Sequence, residues 1–213
     1  MNFFTVKKDE FEKQMHYLYE KQFSVLYLEE AMAMVKNNTL PKKAVVITFD
    51  DGYGDNYENA FPILKEYTFP ATIFINTEMV GKNTKGRSGT NFNLLTKEQI
   101  KEMHNSGLIR FGSHAKNHVK LSKISLPEVE KELVESKQIL ASLTGSPIQT
   151  FAYPFGDYNA QVQHIAKQNY SLSCTVEKGR VNTTSLLSAL PRNAIDSGVT
   201  LTQFKGIVKF GRI

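Results

Sequence analysis

The sequence predicts an α/β fold with a parallel, barrel-like sheet, because short apolar runs alternate with amphipathic helical patterns along the chain. Polar residues follow several of these apolar runs, as in barrel enzymes, which place their chemistry at strand ends. A length of 213 residues is enough for one domain with a sizeable core. We therefore expect a single domain that spans residues 1–213.

Helices are predicted where apolar residues recur every three or four positions, over about residues 8–21, 29–36, 55–67, 96–105, 125–145, 159–168 and 200–209. Capping boxes begin two of them, at Thr96 and Ser125, and glycines follow the same two helices at Gly107 and Gly145. Pro62 predicts a kink in the third helix.

Strands are predicted at short apolar, β-branched runs, over about residues 24–28, 44–49, 71–75, 108–111, 150–153, 172–176 and 189–192. The run at 44–49 has the pattern of a strand that is buried on both faces. From 76 to 93 the composition changes to Gly, Lys, Asn, Ser and Thr, which predicts a long loop. This loop either lines a substrate groove or is a mobile surface segment.

The composition is that of an ordinary globular protein, with 41% hydrophobic and 22% charged residues. A net charge of +5 and a pI near 9.1 favour an anionic partner. Lys and Arg are scattered, however, without the aromatic-interleaved stripe that follows a phosphate backbone. We therefore expect no nucleic-acid binding.

Cys174 is the only cysteine, which excludes an intrachain disulfide and a cysteine zinc site, so any metal would be bound by His and carboxylate side chains. The first ten residues lack the apolar stretch of a signal peptide, and no run is long enough to span a bilayer. We expect a soluble chain whose export segment, if its role is outside the cell, is not part of this sequence.

Two adjacent carboxylates, Asp50 and Asp51, end the predicted strand at 44–49, and Gly52 permits a sharp turn after them. Adjacent side chains at a strand end point in different directions, so one can bind a metal ion while the other faces a reacting water. The residues alone do not assign these two roles. The alternative is a polar turn in which both carboxylates accept backbone hydrogen bonds.

His114 and His118 have a spacing that can bring two imidazoles to one ion, on a helical turn or in a compact loop. Two histidines at this spacing are more often ordinary surface or core residues. The predicted strands that end at Phe49 and Phe111 come shortly before these residues. If these strands and the one that ends at Tyr153 lie side by side in a barrel, Asp51, His114 and His118 meet at the mouth formed by the carboxyl ends of the strands. Two His and one carboxylate leave a coordination position open, as in catalytic zinc sites.

The third polar strand end is Tyr153-Pro154-Phe155-Gly156, which has no suitable titrating group besides Tyr153. We expect its contribution to come from the backbone, with the Phe155 N–H facing a developing oxyanion. The alternative is a Pro-Gly turn whose aromatic rings lie in the core.

A family resemblance rests on three segments, which are TFDDG at 48–52, SHAKNH at 113–118 and FAYPFG at 151–156. In this order they resemble the first three motifs of the polysaccharide deacetylases with a NodB-homology domain, carbohydrate esterase family 4. The resemblance covers about residues 11–192, the expected core of the domain, and is closest to the branch that includes the poly-N-acetylglucosamine deacetylases. It implies a distorted (β/α)7-type barrel, incomplete if an early strand is missing.

The resemblance also implies a divalent ion, zinc or else cobalt or nickel, bound by Asp51, His114 and His118, with Asp50 as the general base. The implied reaction removes N-acetyl groups from an N-acetylglucosamine-containing polysaccharide of a cell wall or extracellular matrix, so the implied location is extracytoplasmic. Two alternatives stay open. One is a non-catalytic carbohydrate-binding protein on a decayed deacetylase scaffold, and the other is an esterase or amidase for a small acylated molecule.

The chain departs from the family pattern at several positions. Ala115 stands where Ser or Thr is common, and Ala152 stands where many relatives have an Arg that tethers the catalytic Asp; Arg192 is our candidate for that tether. The sequence has no Trp for the fourth motif and no His after His164 for the C-terminal general acid. It also begins after an early strand that relatives carry, so either the barrel is open there or Met1 is not the natural start.

Without a C-terminal histidine, we expect Asp50 to return the proton it takes from water to the leaving amine. His164→Ala should therefore leave acetate release close to the wild-type rate, whereas loss of a general acid lowers rates by about 10²- to 10⁴-fold. The measurement is acetate release from an acetylated chito-oligosaccharide. A folded but inactive His164→Ala protein would contradict this assignment.

Overall fold

The computed structural model describes residues 6–85 and 91–210. Its α-helices are α1 (Lys8–Glu20), α2 (Leu28–Lys36), α3 (Phe61–Tyr67), α4 (Lys97–Asn105), α5 (Leu126–Thr144), α6 (Ala160–Asn169) and α7 (Leu201–Phe210). A π-helical turn, Asn56–Ala60, precedes α3. The predicted helix at 55–67 therefore changes its winding before Pro62, which lies in the first turn of α3, where proline is tolerated.

The strands are β1 (Ser24–Val25), β2 (Ala44–Val45), β3 (Thr48–Phe49), β4 (Ala71–Ile75), β5 (Asn83–Lys85), β6 (Asn91–Asn93), β7 (Ile109–Ser113), β8 (Thr150–Ala152) and β9 (Leu172–Cys174). Within the described residues, β3, β4, β7, β8 and β9 form a parallel sheet in that order, and β1 pairs in parallel with β2. The sheet curls into a half-barrel, which confirms the predicted single-domain α/β fold with an incomplete barrel.

The core lies between this curled sheet and its helices. All five residues of β4, the strand between β3 and β7, are buried, as a parallel strand covered on both faces requires. Helix α5 packs against β7 and α6, while α1 packs against α3 and α7. Both predicted capping boxes are present, at Thr96 before α4 and at Ser125 before α5. The sheet therefore presents its carboxyl ends at one rim of a rigid frame.

The predicted strand at 44–49 is wrong in two respects. It divides into β2 and β3, which pair with different neighbours, β1 and β4. Its residues are also only half-buried, instead of buried on both faces. The division lets the chain pass from one group of paired strands to the next while the sheet curls.

The predicted loop at 76–93 contains more structure than its composition indicates. A 3₁₀ turn, Thr77–Met79, is followed by the antiparallel pair of β5 and β6. Residues 86–90 of this loop lie outside the described residues, as do residues 1–5 of the amino-terminal segment. The strand predicted at 189–192 is reduced to a single bridge between Leu190 and Cys174.

Helices in the described part of the chain lack the combination of length and apolar character that a membrane span requires.

Gly112 in β7 is a sensitive position of the sheet. A Cβ atom there would lie 2.5 Å from Phe74 Cδ1 and 2.5 Å from Thr150 Oγ1, atoms of the strands on either side. Gly112→Ala should therefore lower the free energy of unfolding by about 1–3 kcal/mol, the usual cost of overpacking. Urea denaturation should show a lower midpoint with an unchanged m value.

The matched control is the double variant Gly112→Ala with Phe74→Leu. Because the smaller side chain relieves one of the two clashes, the two losses of stability should sum to more than the loss in the double variant. Simple additivity would contradict the proposed clash.

Candidate metal centre and active site

Asp50 and Asp51 directly follow β3, at the carboxyl rim of the sheet. The strand that contains the first motif is not a direct neighbour of β7, because β4 lies between them. Asp51 and Gly52 both have left-handed backbone conformations, with φ of 70° and 73°. This turn carries Asp51 across the end of β4 towards the histidines.

His114 follows β7 directly and is almost fully buried, with 3% of its surface exposed. Its Nδ1 lies 2.8 Å from the carbonyl oxygen of Ala152 at the end of β8. Because a carbonyl oxygen only accepts hydrogen bonds, Nδ1 carries the proton and Nε2 keeps a free lone pair. Burial lowers the pKa of His114, which also favours the neutral imidazole that can bind a metal ion.

Asp51, His114 and His118 meet at the rim, with their candidate ligand atoms all within 4.8 Å of one another. Asp51 Oδ1 lies 3.5 Å from His114 Nε2 and 3.1 Å from His118 Nε2. Two imidazole nitrogens and one carboxylate oxygen are ligands that suit zinc and similar divalent ions, and three protein ligands leave a coordination position open. The residues present therefore fit a divalent metal ion.

The carboxylate of Asp50 is hydrogen-bonded to Arg192, the residue named as its candidate tether from the sequence. Arg192 Nη1 donates to Asp50 Oδ1 at 2.7 Å and Nη2 donates to Oδ2 at 2.8 Å, a bidentate pair. Burial alone raises the pKa of Asp50, but the charge and hydrogen bonds of Arg192 outweigh it and hold that pKa below its usual value. The guanidinium also donates to the Thr175 carbonyl at 2.9 Å and to the Thr48 hydroxyl at 3.2 Å. Arg192 thus fixes the Asp50 carboxylate in one orientation.

Phe155 lies in the 3₁₀ turn after β8, and its ring centroid is 4.4 Å from that of His118. The third motif therefore borders the candidate metal centre. The role of its N–H as an oxyanion donor stays a prediction.

His164 lies on the exposed face of α6, where its side chain contacts Gln168 of the same helix.

The backbone of the site is unusual. Four residues other than glycine in its loops have positive φ, at Asp51, Ala115, His118 and Phe155. Such conformations cost about 1–3 kcal/mol each and persist where the surrounding structure determines them, commonly at functional sites. They add an independent indication that these loops are shaped for a function.

The sequence did not reveal one part of the site, the Ala152 carbonyl that orients His114. Any residue type has a backbone carbonyl, so the sequence does not predict which one accepts this hydrogen bond. Position 152 differs from the family pattern only in that alanine stands where many relatives have arginine. The Ala115 N–H is likewise satisfied by the side chain of Ser113, at 3.2 Å.

The fold and the site define a class of protein: an α/β half-barrel of the NodB-homology type, with its polar groups gathered at the carboxyl ends of the strands. The chain belongs to the polysaccharide deacetylase family, whose sequence profile matches residues 37–171. This confirms the resemblance seen in the three motifs.

Individual relatives are similar over most of the chain. YxkH of Bacillus subtilis (strain 168) is 33% identical over 210 residues, which cover 98% of this chain and 72% of YxkH. The poly-beta-1,6-N-acetyl-D-glucosamine N-deacetylase of Staphylococcus aureus (strain MSSA476) is 34% identical over 173 residues, 78% of this chain and 58% of that enzyme. This chain therefore matches less than two thirds of the length of the staphylococcal enzyme.

Among solved structures, the Streptococcus pyogenes deacetylase PplD in complex with acetate superposes with a TM-score of 0.85 at 31% identity, covering 97% of this chain and 88% of PplD.

Arg192 orients Asp50, the candidate general base, so Arg192→Met should lower kcat for acetate release by about 10²-fold. A candidate base that is free to rotate would be misplaced for proton transfer. Arg192→Lys keeps the charge but not the bidentate geometry, so its kcat should lie between those of Arg192→Met and the wild type. Metal content should be unchanged in both, since Arg192 contacts Asp50 and not the candidate ligands.

Arg110→Lys is the matched control for this test. Arg110 also binds carboxylates, those of Glu29 and Glu30 on α2, but it lies near the amino-terminal end of β7, away from the carboxyl rim. Its kcat should match that of the wild type. A wild-type kcat in Arg192→Met would contradict the tethering role.

Proposed function

We propose that this chain is a metal-dependent hydrolase that removes N-acetyl groups from an amino-sugar polymer, an N-acetylglucosamine-containing polysaccharide of a cell wall or extracellular matrix. The observation that carries this proposal is the meeting of Asp51, His114 and His118 beside an Asp50 carboxylate fixed by Arg192. Membership of the polysaccharide deacetylase family and the staphylococcal relative support the substrate class.

Asp51, His114 and His118 would hold the divalent ion, zinc or else cobalt or nickel. When bound, such an ion supplies Lewis acidity, which lowers the pKa of water and polarises an amide carbonyl.

Asp50 would act as the general base. Each of its carboxylate oxygens keeps a lone pair beyond the one used by Arg192, so it can accept a proton from the attacking water as the new C–O bond forms. The Phe155 N–H would stabilise the charge that develops on the carbonyl oxygen. When the C–N bond breaks, Asp50 would return the proton to the nitrogen, and the free amine and acetic acid leave, the acid then ionising to acetate at neutral pH. One residue would thus serve as base and then as acid.

The intact Asp50 and Arg192 pair favours an enzyme over a non-catalytic carbohydrate-binding protein. An oriented carboxylate beside a candidate metal site is placed to act as the general base of hydrolysis, whereas saccharide binding alone does not need one. The missing Trp and C-terminal His are the features that would fit the non-catalytic alternative.

The first test is acetate release from fragments of peptidoglycan, chitin, poly-N-acetylglucosamine and acetylxylan, before and after treatment with a chelator. We expect release from an N-acetylglucosamine-containing substrate, loss of it on chelation, and recovery with zinc or cobalt. Saccharide binding without turnover in the metal-loaded protein would support the non-catalytic alternative instead. Release from a small aryl acetate alone would support the esterase alternative.

The second test is Asp50→Asn, which removes the proton acceptor but keeps the size of the side chain. We expect kcat to fall by about 10²- to 10⁴-fold, the usual contribution of a general acid and base. Metal content, measured by elemental analysis, should stay near wild type. Asp9→Asn, at an exposed carboxylate in the first turn of α1, should behave as wild type in both measurements.

A further inference from the structure

The loop that carries both histidines is supported by a carboxylate from α5. Glu132 is about nine-tenths buried, with 9% of its surface exposed. Its Oε2 accepts hydrogen bonds from the backbone N–H groups of Lys116 at 2.9 Å and Asn117 at 2.8 Å. Its Oε1 accepts one from the side-chain amide of Asn117 at 2.5 Å. One carboxylate thus binds three donors of the segment between His114 and His118.

These contacts are more than a surface ion pair. A buried carboxylate is costly unless its oxygens are hydrogen-bonded, and bonds to an ionised acceptor are about twice as strong as neutral ones. The ammonium group of Lys116 is bound by a different side chain, Glu135, at 2.7 Å. Glu132 is therefore directed at the backbone of the loop, while Glu135 binds side-chain ammonium groups, that of Lys116 and, at 4.0 Å, that of Lys131.

The backbone on either side of these two amides is strained. Ala115, just before Lys116, has φ of 60°, and His118, just after Asn117, has φ of 51°. Residues other than glycine adopt this backbone conformation at a cost of about 1–3 kcal/mol, so the conformation needs support from the surrounding structure. Hydrogen bonds to the two intervening amides supply such support at the point where it is required.

We propose that Glu132 is a positioning residue of the metal centre. Its carboxylate holds the amides of Lys116 and Asn117, and this fixes the strained turn that places His118 Nε2 beside Asp51 and His114. The inference rests on the metal-binding part of the proposed function. Glu132 acts through the loop backbone and shares no contact with the candidate ligand atoms among its described hydrogen bonds.

The test is the affinity for Zn²⁺ or Co²⁺, measured by competition with a chromophoric chelator in the absence of substrate. Glu132→Ala should weaken binding by about 10- to 100-fold, as loss of an outer partner of a metal ligand commonly does. Glu132→Gln should bind close to wild type. In this variant the side-chain oxygen of the introduced glutamine can accept from the backbone N–H groups of Lys116 and Asn117. The side-chain amide of Asn117 can flip so that its oxygen accepts from the Nε2 group of that glutamine.

Glu135→Gln is the matched control, three residues along the same helix and in contact with the same Lys116. It should bind metal as the wild type does. Wild-type affinity in Glu132→Ala, or an equal loss in Glu135→Gln or in Glu132→Gln, would overturn the proposal. If Glu132→Ala fails to fold, Asn117→Ala replaces it, with a smaller loss expected; unchanged affinity there would overturn the proposal as well.

Amide hydrogen exchange in the metal-free protein separates this inference from the proposed function. The amides of Lys116 and Asn117 should exchange faster in Glu132→Ala and remain protected in Glu132→Gln. If the wild type binds no divalent ion, the proposed function fails, while the exchange result still decides whether Glu132 holds the loop. Equal exchange in the wild type and Glu132→Ala would overturn the positioning role.

Discussion

The ion pair between Asp50 and Arg192 joins the two edge strands of the five-stranded sheet. Asp50 follows β3 at one edge, and Arg192 follows the segment that bridges to β9 at the other. In a flat sheet these edges would lie some four strand spacings apart, about 19 Å. The pair exists because the sheet curls into a half-barrel, and it fixes that curl at the rim where the candidate metal centre lies. The additional bonds from Arg192 to Thr48 and Thr175 tie both edges to the same guanidinium group.

The rim gains its geometry from neighbours that belong to other parts of the sequence. The carbonyl of Ala152 sets the tautomer of His114, and the ring of Phe155 packs against His118. Both supports come from the end of β8 and the turn that follows it, so the packing of β8 against β7 determines how well the candidate ligands are oriented. This division between rigid elements and strained loops is common at functional sites, because the core stabilises conformations that the loops would not adopt alone.

At two of the positions where the chain departs from the family pattern, another residue of the structure makes a contact in place of the missing side chain. Ala152 provides no guanidinium, and Arg192 from the far edge of the sheet binds the Asp50 carboxylate instead. Ala115 provides no hydroxyl, and its N–H is bound by the side chain of Ser113. The absent Trp has no counterpart that the described residues reveal. The site is therefore assembled from a different set of sequence positions around the same pair of carboxylates.

The sequence by itself determined the α/β class, the helices with strong caps such as α4 and α5, and the motifs that carry Asp50, Asp51, His114 and His118. These follow from local causes, namely apolar periodicity, capping chemistry and short contiguous motifs. Only the tertiary structure decided that the run at 44–49 divides into two strands and that the Ala152 carbonyl faces His114. The family resemblance made Arg192 a candidate partner of Asp50, but only the tertiary structure gives the bidentate pair and brings Glu132 to the histidine loop. Pairing and curl of the sheet arise from contacts between distant residues, which no local pattern encodes.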